Sequence, residues 1–433
     1  MKSISRSVSV LATLLIVLTY TSSVSTAHGH PQVGPLELSG ELHGAPYRIR
    51  VPANWNGSLL IFAHGYLDKA DHPGEVENRT AFLAPTPLLE APLLAQGYAL
   101  AGSAYKDNGW AVDEGLKDTK DLAVFFRSRV GQPKHTILWA LSLGTIIAFK
   151  SMEEFGGIYD GALAMCSAGS GSTRLWDSGV AAYLAYDVVF GVPTPWGTVG
   201  EVRNDLDFEE EVEPKLFSEV IDPTNFPKFE FIRLVAGTPG RGLTPPPPPL
   251  FYPEWVFIDF FFLTEARAEL QRRAGGAYVQ NVNQSYSLTT DERLYLLALG
   301  VPGMQIDTWL AQMNGRTNIV PRPAARNYVE NNTNFNGKIK HPVLTMHTVI
   351  DPLLVVSNES AYAELIASEG NEELLFQTYT SGVGHCAFTG PQFLTAVAAI
   401  DSWVQTGIRP SAATFPAALG FVPGFVPPPF PQP

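Results

Sequence analysis

Short apolar runs alternate with amphipathic helical stretches through the first part of the chain. Segments of strand character cover Leu36 to His43, Tyr47 to Val51, Leu59 to Ala63, Tyr98 to Ala104, Thr136 to Ala140 and Ala162 to Met165. Helical periodicity fills "PTPLLEAPLLAQG", "DEGLKDTKDLAVFFRSRVG" and "GTIIAFKSMEEFGG" between the later strands. Strands that alternate with helices predict an α/β architecture with a mostly parallel central sheet. Such sheets carry ligand chemistry at the carboxyl ends of their strands.

The same alternation returns near the C-terminus. "HPVLTMHT" reads as a short buried strand, "NESAYAELIASEG" as an amphipathic helix, "ELLFQTYT" as another strand, and "GPQFLTAVAAIDSWVQTG" as a closing helix stopped by Gly407. Between the blocks, over residues 168–340, the strand pattern disappears. "STRLWDSGVAAYLAYDVVFG", "EWVFIDFFFLTEARAELQRRAGG", "DERLYLLALG" and "MQIDTWLAQMNG" are helical, and "GTPGRGLTPPPPPLFYP" reads as a stiff proline connector. This predicts a large, mostly helical cap inserted after the sixth strand. An independent second domain fits less well, because sheet segments resume behind the insertion. The core is thus expected in two parts, 28–167 and 341–407. The proline-rich 408–433 is expected as an extended, poorly ordered tail.

Composition agrees with a packed protein: 433 residues, 45% hydrophobic and 16% charged, can bury a sizeable core and do not read as disordered. The first 27 residues change the picture of where it works. Lys2 and Arg6 precede an apolar run of about 13 residues, Val8 to Tyr20, and Ser25-Thr26-Ala27 supplies small residues for cleavage. That is the pattern of a secretory signal peptide; a spanning helix needs roughly 20 apolar residues. No membrane anchor is expected after cleavage.

Cleavage would take the formal charge from −13 to −15. An acidic surface repels nucleic acid and anionic membranes, so neither is expected as a partner. Asn-x-Ser/Thr acceptors begin at Asn56, Asn78, Asn283, Asn331 and Asn358 and would matter only in a eukaryotic host. There are two cysteines, Cys166 and Cys386. In an oxidising compartment one disulfide is open to them, and two separate thiols are the alternative.

Acyl transfer of the serine type needs a nucleophile, a base, an acid that orients the base, and N–H groups aimed at the developing oxyanion. Ser142 follows a strand and precedes a helix. Asp351 follows the strand "VLTMH", and His385 follows "ELLFQTYT" in "GVGHCAF". The order nucleophile, acid, histidine resembles that of the α/β-hydrolase fold. In this resemblance "FAHGY" stands as the oxyanion loop, "ALSLG" as the nucleophile elbow, "HTVIDP" as the acid loop and "GVGHC" as the histidine loop. It covers roughly 36–167 and 341–407 and leaves the insertion without a match. It implies an oxyanion site from the N–H groups of Tyr66 and Leu143.

"ALSLG" departs from G-x-S-x-G, since Ala140 stands where glycine is usual. Residues two before and two after the serine must be small because the turn brings them close, and one methyl is tolerable. Ser167 in "MCSAGSG" is the rival nucleophile. With Cys166 before it and Cys386 after the histidine, it formally resembles the tannase and feruloyl esterase group, where flanking cysteines are bridged. Two features count against it: bulky Met165 lies two before it, and it falls one strand beyond the position the fold uses. If the strand ends cluster, a Cys166–Cys386 bridge would pin His385 near the nucleophile.

His64 is expected to hold its loop, and His341 and His347 to be structural. Asp351 has an ordinary Asp-Pro turn as its alternative role. The cap aromatics Trp176, Tyr183, Phe190, Trp255 and Trp309 are expected as helix-packing core, with no pocket assigned. No metal-ligand or dinucleotide spacing is present, so no cofactor is expected. The reading is a secreted serine hydrolase of small-molecule or polymeric carboxylic esters. The alternatives are amide or peptide hydrolysis on the same fold, or a secreted binding protein without turnover.

Overall fold

The computed structural model describes residues 35–238 and 252–430. The stretch read as a signal peptide and most of the expected proline connector lie outside the described residues.

Strands β1 (Leu36–Leu42) and β2 (Ala45–Val51) form an antiparallel hairpin. His43 and Gly44 close it with φ of 54° and 87°, the mirror-type two-residue turn whose twist matches that of paired strands. The remaining strands are β3 (Ser58–Ala63), β4 (Ala99–Ser103), β5 (His135–Leu141), β6 (Gly161–Met165), β7 (Val343–Ile350) and β8 (Leu375–Val383). The sheet runs β1-β2-β4-β3-β5-β6-β7-β8, with β2 antiparallel to β4 and every later pair parallel. Every residue of β3, β4 and β6 is buried, which is why these strands read as continuous apolar runs rather than alternating ones.

Helices α1 (Glu90–Ala95), α2 (Val112–Arg129) and α3 (Gly144–Glu154) connect the strands up to β6. The insertion holds α4 (Gly171–Val189), α5 (Glu213–Val220), α6 (Phe226–Ala236), α7 (Tyr252–Phe261), α8 (Arg267–Ala274), α9 (Thr290–Ala298), α10 (Gly303–Asn314) and α11 (Pro323–Thr333). After it come α12 (Asn358–Ser368) and α13 (Gly390–Thr406). The period-two alternation of the strands divides the core. Leu59, Ile61, Leu138 and Ala140 meet α2, α3 and α12 on one face, while Leu60, Phe62, Ile137 and Trp139 meet α1 and α13 on the other.

Helices α5, α6 and α11 lie outside the stretches predicted from periodicity. Each carries a proline in its first turn, where the missing N–H costs nothing, so residues that read as breakers instead start helices.

The C-terminal stretch is not the loose tail expected. Phe415, Phe421 and Phe430 are buried, and the Val422 N–H donates to the Tyr379 carbonyl at 2.9 Å, laying the segment along β8. Its aromatic residues outweigh its prolines: three buried phenylalanines offer an apolar gain that an extended proline chain alone lacks. Of the five glycan acceptors, Asn358 is fully buried and donates to the Val355 carbonyl, so the folded chain does not present it.

Candidate active site

The β5–α3 turn places Ser142 at φ 50°, a left-handed conformation strained for a non-glycine residue. The turn is fastened on both sides. The Ser142 N–H donates to the Met165 carbonyl at 3.1 Å, and the Thr145 hydroxyl donates to the Ser142 carbonyl at 2.6 Å. A Cβ on Gly144 would overlap the carbonyl oxygen of Ala63 and stand 2.6 Å from that of His64, so only glycine fits. Ala140 is different. It lies in register between Ala63 of β3 and Ala164 of β6, and these small neighbours leave room for its methyl.

His385 follows the end of β8, and its imidazole spans the gap between the strand ends. Nδ1 lies 2.9 Å and 3.1 Å from the two Asp351 oxygens, and Nε2 lies 2.8 Å from the Ser142 hydroxyl. With the ring proton on Nδ1, the imidazole donates to Asp351 and accepts from Ser142. Asp351 is buried and is itself held by the N–H groups of Leu353 and Leu354, both at 2.9 Å. The residue after the histidine, Cys386, is disulfide-bonded to Cys166, one residue beyond β6.

Ser167 is brought elsewhere. Its hydroxyl is fully buried and donates to Glu359 at 2.6 Å, and Glu359 also receives Gln377 at 2.7 Å and the Thr345 hydroxyl. This carboxylate of α12 ties the segment after β6 to β7 and β8, so Ser167 meets a scaffold carboxylate and no imidazole.

Tyr66 and Leu143 carry the two backbone N–H groups expected at the oxyanion position, and neither donates to an acceptor among the described residues. Gly65 allows the approach: a Cβ there would stand 3.2 Å from the Ser142 Cβ. His64 donates from Nδ1 to the Gly65 carbonyl at 2.7 Å and stacks on Tyr105 with ring centroids 3.9 Å apart. Burial lowers its pKa from 6.5 to about 4, which keeps the ring neutral and holds the loop. His341 donates from Nε2 to the Gly156 carbonyl at 2.7 Å, and His347 is fully buried against the Thr348 carbonyl.

An apolar cavity opens over Ser142. Tyr66, Trp110, Trp176 and Phe262 form its aromatic wall, and Leu353 and Leu354 of the acid loop its floor. Trp176 is therefore more than packing, whereas Tyr183, Trp255 and Trp309 are buried among cap helices as expected. Between α7 and α8 the helix loosens into a π-turn, Phe262–Ala266, a feature frequent at functional sites. Two of its residues, Phe262 and Leu263, line the cavity.

Asp259 also lines this cavity and was not among the expected site residues. The signal was present: one acid stands inside the apolar run "WVFIDFFFL", where a carboxyl has no place in ordinary helix packing. Burial, with the charge of Asp351 adding to it, raises its pKa well above the usual carboxylate range. At the cap edge, His72, Glu75 and Glu265 bring ligand-type atoms within 4.8 Å of one another, but none of the three lines the Ser142 cavity. Among the described residues no helix is long and apolar enough to cross a membrane.

Strand order, strand direction, the strained serine after β5 and the helical insertion after β6 define an α/β-hydrolase fold. No family model matches the sequence. Among curated proteins, the chain is 22% identical over 430 residues to an o-phthalyl amidase from Xanthobacter agilis, covering 88% of this chain and 90% of the relative. Among solved structures, an esterase from Aspergillus oryzae is similar with a TM-score of 0.40 and 15% identity, over 87% of this chain and 80% of the other. Candida antarctica lipase A gives 0.41 and 12%, over 85% and 74%. Tannin acyl hydrolase from Aspergillus niger gives 0.38 and 13%, over 85% and 76%.

Proposed function

We propose that the protein is a secreted serine hydrolase that cleaves carboxylic esters through an acyl-enzyme. The observation that carries this reading is the continuous relay from Ser142 through His385 to Asp351, at 2.8 Å and 2.9 Å, at the mouth of an apolar cavity. His385 takes the hydroxyl proton as Ser142 attacks the carbonyl carbon. Asp351 holds the imidazole in the required tautomer and stabilises its charged form. The N–H groups of Tyr66 and Leu143 receive the oxyanion, an interaction worth roughly 10²- to 10³-fold per donor in such sites. His385 then hands the proton to the leaving alcohol, and a water activated by the same ring releases the acid.

The leader pattern and the Cys166–Cys386 bridge support secretion, since a disulfide persists in oxidising compartments. A small or flexible ester of an aryl or alkyl alcohol fits the apolar lining. The second reading is amide hydrolysis by the same relay, favoured by the 22% identity to an o-phthalyl amidase. The deciding experiment is a panel of p-nitrophenyl esters of graded acyl length set against matched anilides. Ester turnover that disappears in Ser142→Ala supports the first reading. Turnover of anilides at rates comparable to esters supports the second, and turnover unchanged by Ser142→Ala removes both.

A further inference from the structure

Most polar tips around the cavity are engaged with the protein itself, the buried Trp176 indole N–H excepted. Trp110 donates its indole N–H to the Ser172 hydroxyl at 3.1 Å, and the Ser178 hydroxyl donates to the Leu175 carbonyl at 2.7 Å. The Tyr66 hydroxyl is directed to Asp68 at 3.4 Å. What these residues present to the cavity is their apolar bodies. The aromatic ones are contiguous: ring centroids lie 5.1 Å apart for Tyr66 and Phe262, 6.5 Å for Tyr66 and Trp110, and 4.9 Å for Trp110 and Trp176.

Asp259 breaks this pattern. It is 6% exposed, lines the cavity, and makes no hydrogen bond or ion pair with any described residue. A buried carboxyl without a partner costs several kcal/mol in typical cases, so its retention inside an apolar helix run calls for a partner that arrives from outside. No lysine, arginine or histidine is among the described residues that line the cavity. The charge acting on Asp259 is that of another acid, Asp351. A neutral hydrogen-bond donor would satisfy Asp259 but bring no positive charge to balance the two acids, Asp259 and Asp351, that act on each other. A cation answers both, and aromatic faces attract cations through their quadrupoles.

Resting on the serine hydrolase reading for its place in catalysis, we propose that Asp259 and the Tyr66, Trp110, Trp176 and Phe262 rings form a subsite for a protonated amine on the substrate. The subsite makes the enzyme selective for esters or amides whose acyl or leaving group carries a basic nitrogen. The raised pKa of Asp259 adds a signature: an ammonium that pairs with it drives off the carboxyl proton, whereas a neutral ligand does not.

The test is calorimetric binding of phenethylammonium and of 2-phenylethanol, its neutral hydrogen-bonding counterpart, to the wild-type protein and to Asp259→Asn at pH 7. Expected are at least tenfold tighter binding of the ammonium than of the alcohol and proton release on binding the ammonium. Asp259→Asn should remove both effects while holding alcohol binding within about twofold, which also shows that the variant folds. Equal binding of the two ligands, or an ammonium preference that survives Asp259→Asn, overturns the proposal. Parallel turnover of p-nitrophenyl 4-(aminomethyl)benzoate and 4-(hydroxymethyl)benzoate separates this proposal from the hydrolase reading. Asp259-dependent ammonium binding without turnover of either ester defeats only the hydrolase reading. Turnover of both at equal rates defeats only the subsite.

Discussion

Cys386 is the residue next to His385, and its sulfur is joined to Cys166, 220 positions earlier in the chain, at the end of the strand adjacent to that of Ser142. The bridge therefore anchors the histidine loop to the neighbouring strand end rather than to the residue beside Ser142. Reduction should release His385 from its position without dismantling the sheet. Mild thiol treatment, followed by mass spectrometry and assay, is expected to lower ester turnover about 10- to 100-fold, the range a small misplacement of a catalytic group produces. Stability should fall by about 2–4 kcal/mol in denaturant titration. Turnover that survives full reduction would show that the loop holds His385 by itself.

Two serines, one strand apart, differ in what they touch. Ser142→Ala is expected to abolish fluorophosphonate labelling and reduce kcat by roughly 10⁴- to 10⁶-fold. Ser167→Ala should keep the labelling and lose about 1–3 kcal/mol of stability, because it takes a donor from Glu359. Labelling lost only in the Ser167 variant would reverse the assignment.

Positions 140 and 144, placed symmetrically about Ser142, should respond in opposite ways. Gly144→Ala meets the Ala63 and His64 carbonyls and is expected to cost about 3 kcal/mol or more or prevent folding. Ala140→Gly restores the usual motif and is expected to cost about 0.5–1 kcal/mol of stability, because glycine loses more freedom on entering a strand. It should change kcat less than about threefold, and a large gain would mean that the methyl strains the elbow. Thermal unfolding and kinetics of the two purified variants decide both.

His64 makes a prediction about acid. Its pKa is lowered from 6.5 to about 4 in the folded protein, so between those values the unfolded chain binds a proton that the folded chain refuses. Its contribution is therefore complete above about pH 6.5 and is lost as pH falls toward 4, a change on the order of 3 kcal/mol. The stability difference between the wild type and His64→Gln, measured by urea titration, should shrink by that order from pH 7 to pH 4. A difference that stays constant with pH would assign His64 a purely steric role.

Asp351→Asn tests the orienting role, since the amide oxygen can still accept from Leu353 and Leu354 while its NH2 group would favour the wrong imidazole tautomer. Expected is a fall in kcat of about 10⁴-fold with little change in KM. A rise in KM with kcat unchanged would place Asp351 in binding.

The strands and their order of use were legible because fully buried parallel strands are apolar throughout, as Leu59 to Ala63 and Ala162 to Met165 are. The helices of the cap were legible where a long apolar-rich stretch runs without a proline, as in α4, and illegible where a proline opens the helix, as in α5 and α11. The tail misled because proline content pointed to an extended chain, whereas the three phenylalanines found an apolar surface elsewhere in the fold.

Ser142, Asp351 and His385 could be named from the chain alone because each follows a strand, and parallel strands deliver their carboxyl ends to one edge of the sheet. Even the alanine at 140 could be judged by size alone. Which groups actually meet was decided only by the tertiary structure. The closeness of His385 to Ser142 rather than Ser167, the reach of the Cys166 bridge and the exposure of Asp259 to the cavity all depend on residues distant in sequence. Periodicity reports which face of an element is apolar; it does not report what lies opposite that face.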